Sequence, residues 1–409
     1  MTNPLADPYL VLMKIYSDGA HLKQALAETP VEELHRARTV KVVYGVLEKD
    51  IYLSHCIRSY TQKSPKLPVR VVLKIALYML LFMDKSRYMV TDNAVSLLKK
   101  TGKAGVSGFV NAFLRNFKIN DVPMPAGDEG LSIKYSFPLF AVKLLKKQYG
   151  ERAESIMGAE SKGVTVRFVR GEEKYLSREH IVAPFEKTYI FRNFTRDDGF
   201  FAGDYTFQSV GSIAVCYGVA PCENLLDACA APGGKSVLLS GKCKKVVAFE
   251  LHDHRVKLIE QYISRMGVTN VTPLQKDASV YDEKYEKQFD GVLCDAPCSG
   301  MGTVCENPDV KLNKTAEDVE TLHVLQLSIL KTCARYVKPG GALYYSTCSI
   351  FERENDETVK AFLEKNDDYT VERTENPLPH ETTAFGMQFL PDAAYGAGFY
   401  FCKLRRKKE

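Results

Sequence analysis

The chain has 409 residues, of which 45% are apolar and 26% are charged, and its net charge is +5. This length predicts two to three domains, and the lack of an uninterrupted 18-residue apolar stretch excludes a helical membrane protein. Eleven cysteines without CxxC pairs or zinc spacing indicate reduced thiols and no metal site. The N-terminus lacks the features of a signal peptide, so a cytoplasmic protein is expected.

Charge is distributed unevenly along the chain. Residues 1–120 hold 18 Lys and Arg against 9 Asp and Glu, a net charge of +9, which leaves −4 for the remainder. A basic segment joined to a mildly acidic one favours a polyanionic partner for the first part. A solvated helical surface would give the same count, so charge alone leaves both interpretations open.

Residues 5–120 show helical patterns throughout. The segment VRVVLKIALYMLLFM is apolar on all sides and predicts a buried central helix. VSGFVNAFLRNF predicts an amphipathic helix with Arg115 and Lys118 beside its apolar stripe, which consists of Val106, Phe109, Val110, Phe113 and Leu114. NDVPMPAGDEG, residues 120–130, predicts a linker because prolines and glycines interrupt the pattern.

The middle of the chain predicts a small mixed module. A helix is expected to end at Gly150, and the alternating runs VTVRFV and KTYIFRNF indicate short strands up to about residue 205. We therefore predict three domains: an all-helical domain at 1–125, a small α+β module at 126–205 and an α/β domain at 206–409.

The last 200 residues alternate apolar runs with helical stretches. NLLDAC, KVVAFE, VTPLQ, DGVLCDA and ALYYSTC predict parallel strands joined by crossover helices, and GFYFCKL predicts a reversed last strand that completes a seven-stranded sheet. A long helix should begin at Thr315 as N-cap and close at Lys338-Pro339-Gly340. One face of this helix is expected to carry Leu322, Leu325, Ile329 and Cys333.

A cofactor site is predicted after the first of these strands. LLDACAAPGGKS is a strand, a loop of small residues and a helix start, but it matches neither a phosphate loop nor G-x-G-x-x-G. Glu250 ends the next strand, where an acid can accept both ribose hydroxyls, and Asp277 can accept from an adenine amino group. A nucleoside without phosphates fits S-adenosylmethionine; the alternative is a turn of the Rossmann type without this ligand.

Two cysteines follow neighbouring predicted strands. Cys298 lies in DAPCSG and Cys348 lies in STCS, each at the carboxyl end of an apolar run, where open α/β sheets bind ligands. Their spacing does not rank them as nucleophiles, and two small packing residues would give the same pattern.

Four ordered motifs carry a family resemblance. LLDACAAPGGKS, DAPCSGMGT, YSTCSIFERENDE and GFYFCKL together resemble the RNA 5-methylcytosine methyltransferases. RTVKVVYGVLE and GFVNAFLRNF resemble the NusB-like RNA-binding domain of the ribosomal RNA small subunit methyltransferase B family. The resemblance implies a NusB-like all-α domain, a small ferredoxin-like RNA-binding module and a class I, Rossmann-like methyltransferase domain. It also implies a monomer acting on 16S ribosomal RNA or a small-subunit precursor, at the family's target cytosine 967.

The resemblance also assigns roles to residues. The family attacks carbon 6 of cytosine from the TCS cysteine, here Cys348, while Cys298 assists release of the product. Asp295 ends its predicted strand beside the cofactor loop, and this position suits the acid needed near ring nitrogen 3. The expected cofactor-binding residues are Cys229, Ala230, Ala231, Pro232, Gly233, Gly234, Lys235, Glu250, Asp277 and Asp295.

Four positions depart from the family pattern. Val169, Cys305, Glu306 and Ala397 stand where the family has Asn, an Arg-Arg pair and Asp, and none of them is catalytic. Three alternatives remain at this point: the same chemistry on tRNA or large-subunit RNA, methylation of DNA, and a catalytically silent RNA-binding assembly factor. The presence of both thiols argues against the silent factor, and the helical N-terminal domain argues against DNA.

Overall fold

The computed structural model of the protein describes residues 3–312 and 314–408. Its contacts group into two compact units: Met1–Met157 with Asn307–Asn313, and Gly158–Glu306 with Lys314–Glu409. The division into 1–125, 126–205 and 206–409 therefore stays a prediction. No helix in the described ranges is long and apolar enough to cross a membrane.

The first unit is helical. Its helices are α1 (Ala6–Asp18), α2 (Leu22–Glu28), α3 (Glu33–Glu48), α4 (Asp50–Ser59), α5 (Leu67–Phe82), α6 (Arg87–Lys100), α7 (Ser107–Asn116), α8 (Gly127–Tyr135), α9 (Leu139–Tyr149) and α10 (Ala153–Met157). Helix α5 is the predicted central helix, with a continuous run of buried residues. Helix α9 ends at Gly150 as predicted, because glycine adopts the positive φ of 56° there.

Two predictions for this unit were partly wrong. The predicted linker is shorter than 120–130, since α8 begins at Gly127, with Asp128 and Glu129 in the first turn, where acidic side chains favour a helix. The apolar stripe of α7 is narrower than predicted, because Val106 and Phe109 are exposed and only its other three members are buried.

The second unit begins with a four-stranded antiparallel sheet in the order β2-β3-β1-β4. Its elements are β1 (Val164–Phe168), β2 (His180–Val182), β3 (Thr188–Phe191), helix α11 (Asp198–Phe201) and β4 (Tyr205–Phe207). Aromatic side chains fill its core, among them Phe168, Phe191 and Tyr205. These strands confirm the short strands expected from the alternating runs VTVRFV and KTYIFRNF, whereas the helices of residues 126–157 belong to the first unit.

A nine-stranded mixed sheet follows. Its elements are α12 (Val210–Gly218), β5 (Cys222–Asp227), α13 (Gly234–Leu239), β6 (Cys243–Glu250), α14 (Asp253–Met266), β7 (Val271–Gln275), β8 (Phe289–Asp295), α15 (Ala316–Tyr336), β9 (Val337–Thr347), α16 (Asp356–Leu363), β10 (Tyr369–Val371), β11 (Glu381–Thr382), β12 (Met387–Phe389) and β13 (Phe399–Arg406). The strand order is β11-β12-β13-β9-β8-β5-β6-β7, and β10 pairs with β13. Strands β9, β8, β5, β6 and β7 are parallel, and β13 runs antiparallel to β9.

The reversed strand is therefore confirmed, but the strand number was wrong. The predicted sheet corresponds to seven strands, in the order β12-β13-β9-β8-β5-β6-β7. Two short strands that were not predicted extend it: β11 pairs with β12, and β10 pairs with β13.

Thr315 is the N-cap of helix α15 and forms a capping box, as predicted. The predicted end of the helix was wrong, because α15 ends at Tyr336 and Lys338-Pro339-Gly340 lie in β9. The buried face of α15 differs, since Leu325 is exposed while the polar His323 and Gln326 are buried and hydrogen-bonded.

Candidate active site

The five parallel strands deliver polar residues to one edge of the sheet. Their carboxyl ends carry Asp227 (β5), Glu250 (β6), Asp295 (β8) and, directly after β9, Cys348; Asp277 lies two residues beyond β7. Such an edge is where open α/β sheets bind ligands. The structure therefore brings the predicted site residues to a single edge of the sheet.

The loop between β5 and α13 contains a glycine, Gly233, in a backbone conformation that other residues rarely adopt. Gly233 has a φ of 102°, its N–H donates to Ala230 O at 2.7 Å, and a Cβ at this position would lie 3.2 Å from Ile259 Cγ2. A side chain here would be strained, so the loop depends on glycine to bring its backbone close to a ligand. The Cys229 thiol in this loop is a weak acid, because burial raises its pKa well above the ordinary value.

Two acids flank this loop. Glu250 is buried, and its Oε1 accepts from His252 N at 3.1 Å and Arg255 Nη1 at 3.4 Å. Arg255 Nη2 also donates to Ala231 O at 3.3 Å and so links Glu250 to the loop. Asp277 Oδ1 accepts from the N and Oγ of Ser279, at 2.8 and 2.6 Å. These bonds fix both carboxylates in place.

The residues at this edge suit S-adenosylmethionine. Glu250 Oε2 accepts no hydrogen bond from the described residues, which leaves an acceptor for a ribose hydroxyl. Asp227 is fully buried, and its Oδ1 has no hydrogen-bond partner within the described part of the chain. Burial raises the pKa of Asp227 to about 6, and the nearby charge of Asp295 acts in the same direction. An amino group with positive charge would satisfy this buried oxygen.

Asp295 connects the cofactor loop with the strand that leads to Cys348. Its Oδ2 accepts from Lys235 Nζ at 2.7 Å, and its Oδ1 accepts from Ser346 Oγ at 2.7 Å. Burial lowers the pKa of Lys235, but the charge and hydrogen bond of Asp295 outweigh burial and raise it overall. Lys235 is thus a protonated partner of Asp295.

The two candidate thiols are neighbours. Cys298 Sγ and Cys348 Sγ lie 3.2 Å apart, and both cysteines are partly exposed. The pKa of Cys298 is well above its ordinary value, because its hydrogen bond with Cys348 favours the thiol form and burial and the charge of Cys348 add to this effect. The Cys298 side chain therefore favours its protonated thiol form.

Backbone contacts hold Cys348 in place. Gly302 N donates to Cys348 O at 2.9 Å, and Gly398 N donates to Gly302 O at 2.7 Å. A Cβ on Gly302 would lie 2.8 Å from Cys348 O, so only glycine fits between these two segments. The nucleophile candidate consequently sits on a backbone with little freedom to move.

Several site residues were missed by the sequence analysis. Asp227 lies in LLDACAAPGGKS, just before the cofactor loop, and Ser346 lies in YSTCSIFERENDE, two residues before Cys348. These positions could have identified both as site residues. Glu354 lies inside the quoted motif YSTCSIFERENDE, but its contact with the DAPCSG loop could not be read from the motif because that loop is distant in sequence. Gln326 lies outside the quoted motifs, and its contact with Pro297 O also joins distant segments. Of the four departures, Val169 is exposed, Ala397 is buried, and Cys305 donates to Ala159 O at 3.3 Å.

Comparisons with known proteins agree with this architecture. A family model described as 16S rRNA methyltransferase RsmB/F matches residues 217–405, and a NusB family model matches residues 10–118. The chain is 30% identical to the probable ribosomal RNA small subunit methyltransferase B of Bacillus subtilis (strain 168), with 97% of each chain covered. It is 29% identical to the ribosomal RNA small subunit methyltransferase B of Xanthomonas campestris pv. campestris, over 96% of this chain and 95% of that one.

A solved structure shows the same fold. The crystal structure of PH0851 aligns with a TM-score of 0.86 at 23% identity, covering 99% of both chains.

The fold and the site define a Rossmann-like methyltransferase that follows a helical NusB-type domain. S-adenosylmethionine is its methyl donor, and RNA is its substrate. The chain belongs to the ribosomal RNA small subunit methyltransferase B family. The family resemblance, the fold class and the cofactor predicted from sequence are confirmed.

Proposed function

We propose that the protein methylates carbon 5 of a cytosine in 16S ribosomal RNA, at the family's target cytosine 967, through a covalent adduct with Cys348. The observation that carries this proposal is the pair of thiols, Cys298 and Cys348, 3.2 Å apart beside the Lys235–Asp295 ion pair. A silent assembly factor would need neither the two thiols nor the ion pair.

The first step is addition of Cys348 to the ring. Carbon 5 of cytosine is a poor nucleophile, and addition of a thiolate to carbon 6 turns the ring into an enamine that can accept a methyl group. Negative charge that builds on the ring must be neutralised. Lys235 Nζ donates to Asp295 Oδ2 at 2.7 Å, and this ion pair is the proposed proton source for ring nitrogen 3.

S-adenosylmethionine supplies the methyl group as an electrophilic sulfonium when bound. Glu250, Asp277 and the loop from Cys229 to Lys235 are the residues proposed to hold it, with Asp227 facing its amino group. Glu250 is anchored by Arg255, which also holds the loop at Ala231.

Release requires removal of the proton on carbon 5 and departure of Cys348. In the adduct the Cys348 sulfur is a neutral thioether, so it no longer bears charge or accepts a strong hydrogen bond. Two of the causes that raise the pKa of Cys298 are then lost. Cys298 can then lose its proton to solvent more readily, and its thiolate can accept the proton from carbon 5 while the carbon–sulfur bond to Cys348 breaks and Cys348 leaves as a thiolate.

The test separates the two thiols. Cys348→Ala should form no adduct and lose turnover, whereas Cys298→Ala should transfer the methyl group and then stall as a protein–RNA complex that survives denaturing electrophoresis. Cys222→Ala, at the opposite end of β5, is the control and should behave like the wild type. An adduct in Cys348→Ala but not in Cys298→Ala would reverse the assignment, and no adduct from either in an active enzyme would remove the covalent mechanism.

A second experiment identifies the RNA. Bisulfite sequencing of ribosomal RNA and tRNA from cells with and without the gene should show a single cytosine in 16S RNA that loses methylation. Loss of a tRNA or large-subunit site instead would keep the chemistry and replace the substrate.

A further inference from the structure

A buried carboxylate joins the two cysteine loops. Glu354 is fully buried in a short 3₁₀ turn, Glu352–Glu354, that follows STCS. Its Oε1 accepts from Ser299 N at 2.7 Å and from Gln326 Nε2 at 3.1 Å. Its Oε2 accepts from Ser299 Oγ at 2.6 Å and from Ser349 Oγ. Four donors match the number of lone-pair sites on a carboxylate.

These donors stand next to the reactive residues. Ser299 directly follows Cys298, and Ser349 directly follows Cys348. Gln326 Nε2 also donates to Pro297 O at 2.9 Å, so the residues on both sides of Cys298 are held. One side chain therefore fixes the spacing between loops that are 50 residues apart in sequence.

We propose that Glu354 is a positioning residue that holds Cys298 and Cys348 at the separation the reaction needs. The catalytic consequence of this inference rests on the proposed function. The four hydrogen bonds of Glu354 that join the two cysteine loops, here called the clamp, are present whatever the reaction is. The negative charge of Glu354 also contributes to the high pKa of Cys298, so the same group helps Cys298 keep its proton.

Three variants separate the effect of losing the hydrogen bonds of Glu354 from the effect of altering a buried carboxylate. In Glu354→Gln the amide oxygen can accept from Ser299 N and Gln326, and the amide nitrogen can donate to the two serine hydroxyls, which accept as well as donate. Glu354→Ala removes all four bonds. Asp356→Ala is the matched control: Asp356 is a buried carboxylate that binds Thr383 Oγ1 at 2.8 Å and Ala384 N at 2.9 Å, contacts distinct from those of Glu354.

The first measurement tests the clamp without RNA. Phenylarsine oxide bridges two adjacent thiols: two arsenic–sulfur bonds form, and the oxygen leaves as water with both thiol protons. Peptide mapping follows bridging at Cys298 and Cys348, with Cys222 and Cys243, whose sulfurs lie 3.4 Å apart, as the internal control pair. Glu354→Ala should slow bridging of the first pair at least tenfold and leave the second pair unchanged, while Glu354→Gln and Asp356→Ala stay within threefold of wild type.

The second measurement tests the catalytic consequence. A 16S RNA fragment transcribed with 5-fluorocytidine traps the adduct, because fluorine on carbon 5 cannot leave as a proton does. Glu354→Ala should form this adduct at least tenfold more slowly, and Glu354→Gln should restore the rate. If Glu354→Ala does not fold, Ser299→Ala, which removes one of the four bonds, should show the same change in smaller degree.

The outcomes distinguish the two proposals. Wild-type bridging rates in Glu354→Ala, or equal losses in Glu354→Gln and Glu354→Ala, would overturn the positioning role. A wild-type protein that bridges the arsenical but never forms an RNA adduct would contradict the proposed function and leave the clamp standing.

Discussion

Replacing Glu250 by glutamine should weaken S-adenosylmethionine binding while the fold is retained. Glutamine keeps the size of the side chain, but it turns one accepting oxygen into a donor that cannot receive a ribose hydroxyl. The open Oε2 is the acceptor at stake, because Oε1 is already occupied by His252 N and Arg255. A charge-assisted hydrogen bond contributes about 1.5–3 kcal/mol, so the dissociation constant should rise about 10- to 150-fold.

Titration calorimetry measures this change directly, and thermal unfolding checks the fold. Arg255→Gln is the control, since it removes the contacts to Glu250 and to Ala231 O without altering the acceptor. If Arg255→Gln weakened binding as much as Glu250→Gln, the effect would come from ordering of the loop. An affinity within twofold of wild type in Glu250→Gln would refute the ribose-binding role.

Three further outcomes are expected. Because the pKa of Asp227 is raised from 3.8 to about 6, the folded state holds a proton that the unfolded chain has lost, and stability should fall by up to about 3 kcal/mol as pH rises through this window. Urea unfolding of Asp227→Asn from pH 4 to 7 should lack this decline, and an identical pH dependence would contradict the shift. Gly302→Ala should lower stability by about 1–3 kcal/mol in urea unfolding, because its Cβ would overlap with Gly398 O and lie 2.8 Å from Cys348 O; an unchanged midpoint would show that these segments can separate. Arg115→Glu or Lys118→Glu should weaken RNA binding and reduce the salt slope by about 1 per lost phosphate contact, with cofactor affinity unchanged, and an unaltered slope would leave these residues as solvated surface.

The position of Arg115 gives the last of these expectations a structural basis. A cleft of about 540 Å³ between α6 and α7 is lined by Arg87, Tyr88, Lys99 and Arg115, among other residues. Tyr88 is 79% exposed, so an aromatic face and several cations are open to solvent on one surface. Stacking of bases on aromatic rings and pairing of phosphates with cations are the two contributions that single-stranded RNA binding combines.

Local patterns in the sequence were sufficient for the five parallel strands and for the residues at their ends, but not for the short β10 and β11. Apolar runs end at Asp227, Glu250 and Asp295, and parallel pairing then places those residues at one edge without further information. The buried face of α15 could not be predicted in this way. Periodicity assigns Leu325 to the core, whereas the structure buries Gln326, because its partners Pro297 O and Glu354 come from distant loops. Polar contacts between residues far apart in sequence do not change the hydrophobic periodicity of a helix, so they cannot be predicted from it.

The strand order explains why one carboxylate can serve both halves of the site. Strand β8 lies between β5, which carries the cofactor loop, and β9, which leads to Cys348. Asp295, at the end of β8, reaches Lys235 on one side and Ser346 on the other. Ser346 stands two residues before Cys348, so Asp295 links the loop after β5 to the strand that leads to Cys348. A different order of strands would separate these groups by a further strand spacing of about 4.8 Å, beyond the reach of an aspartate side chain.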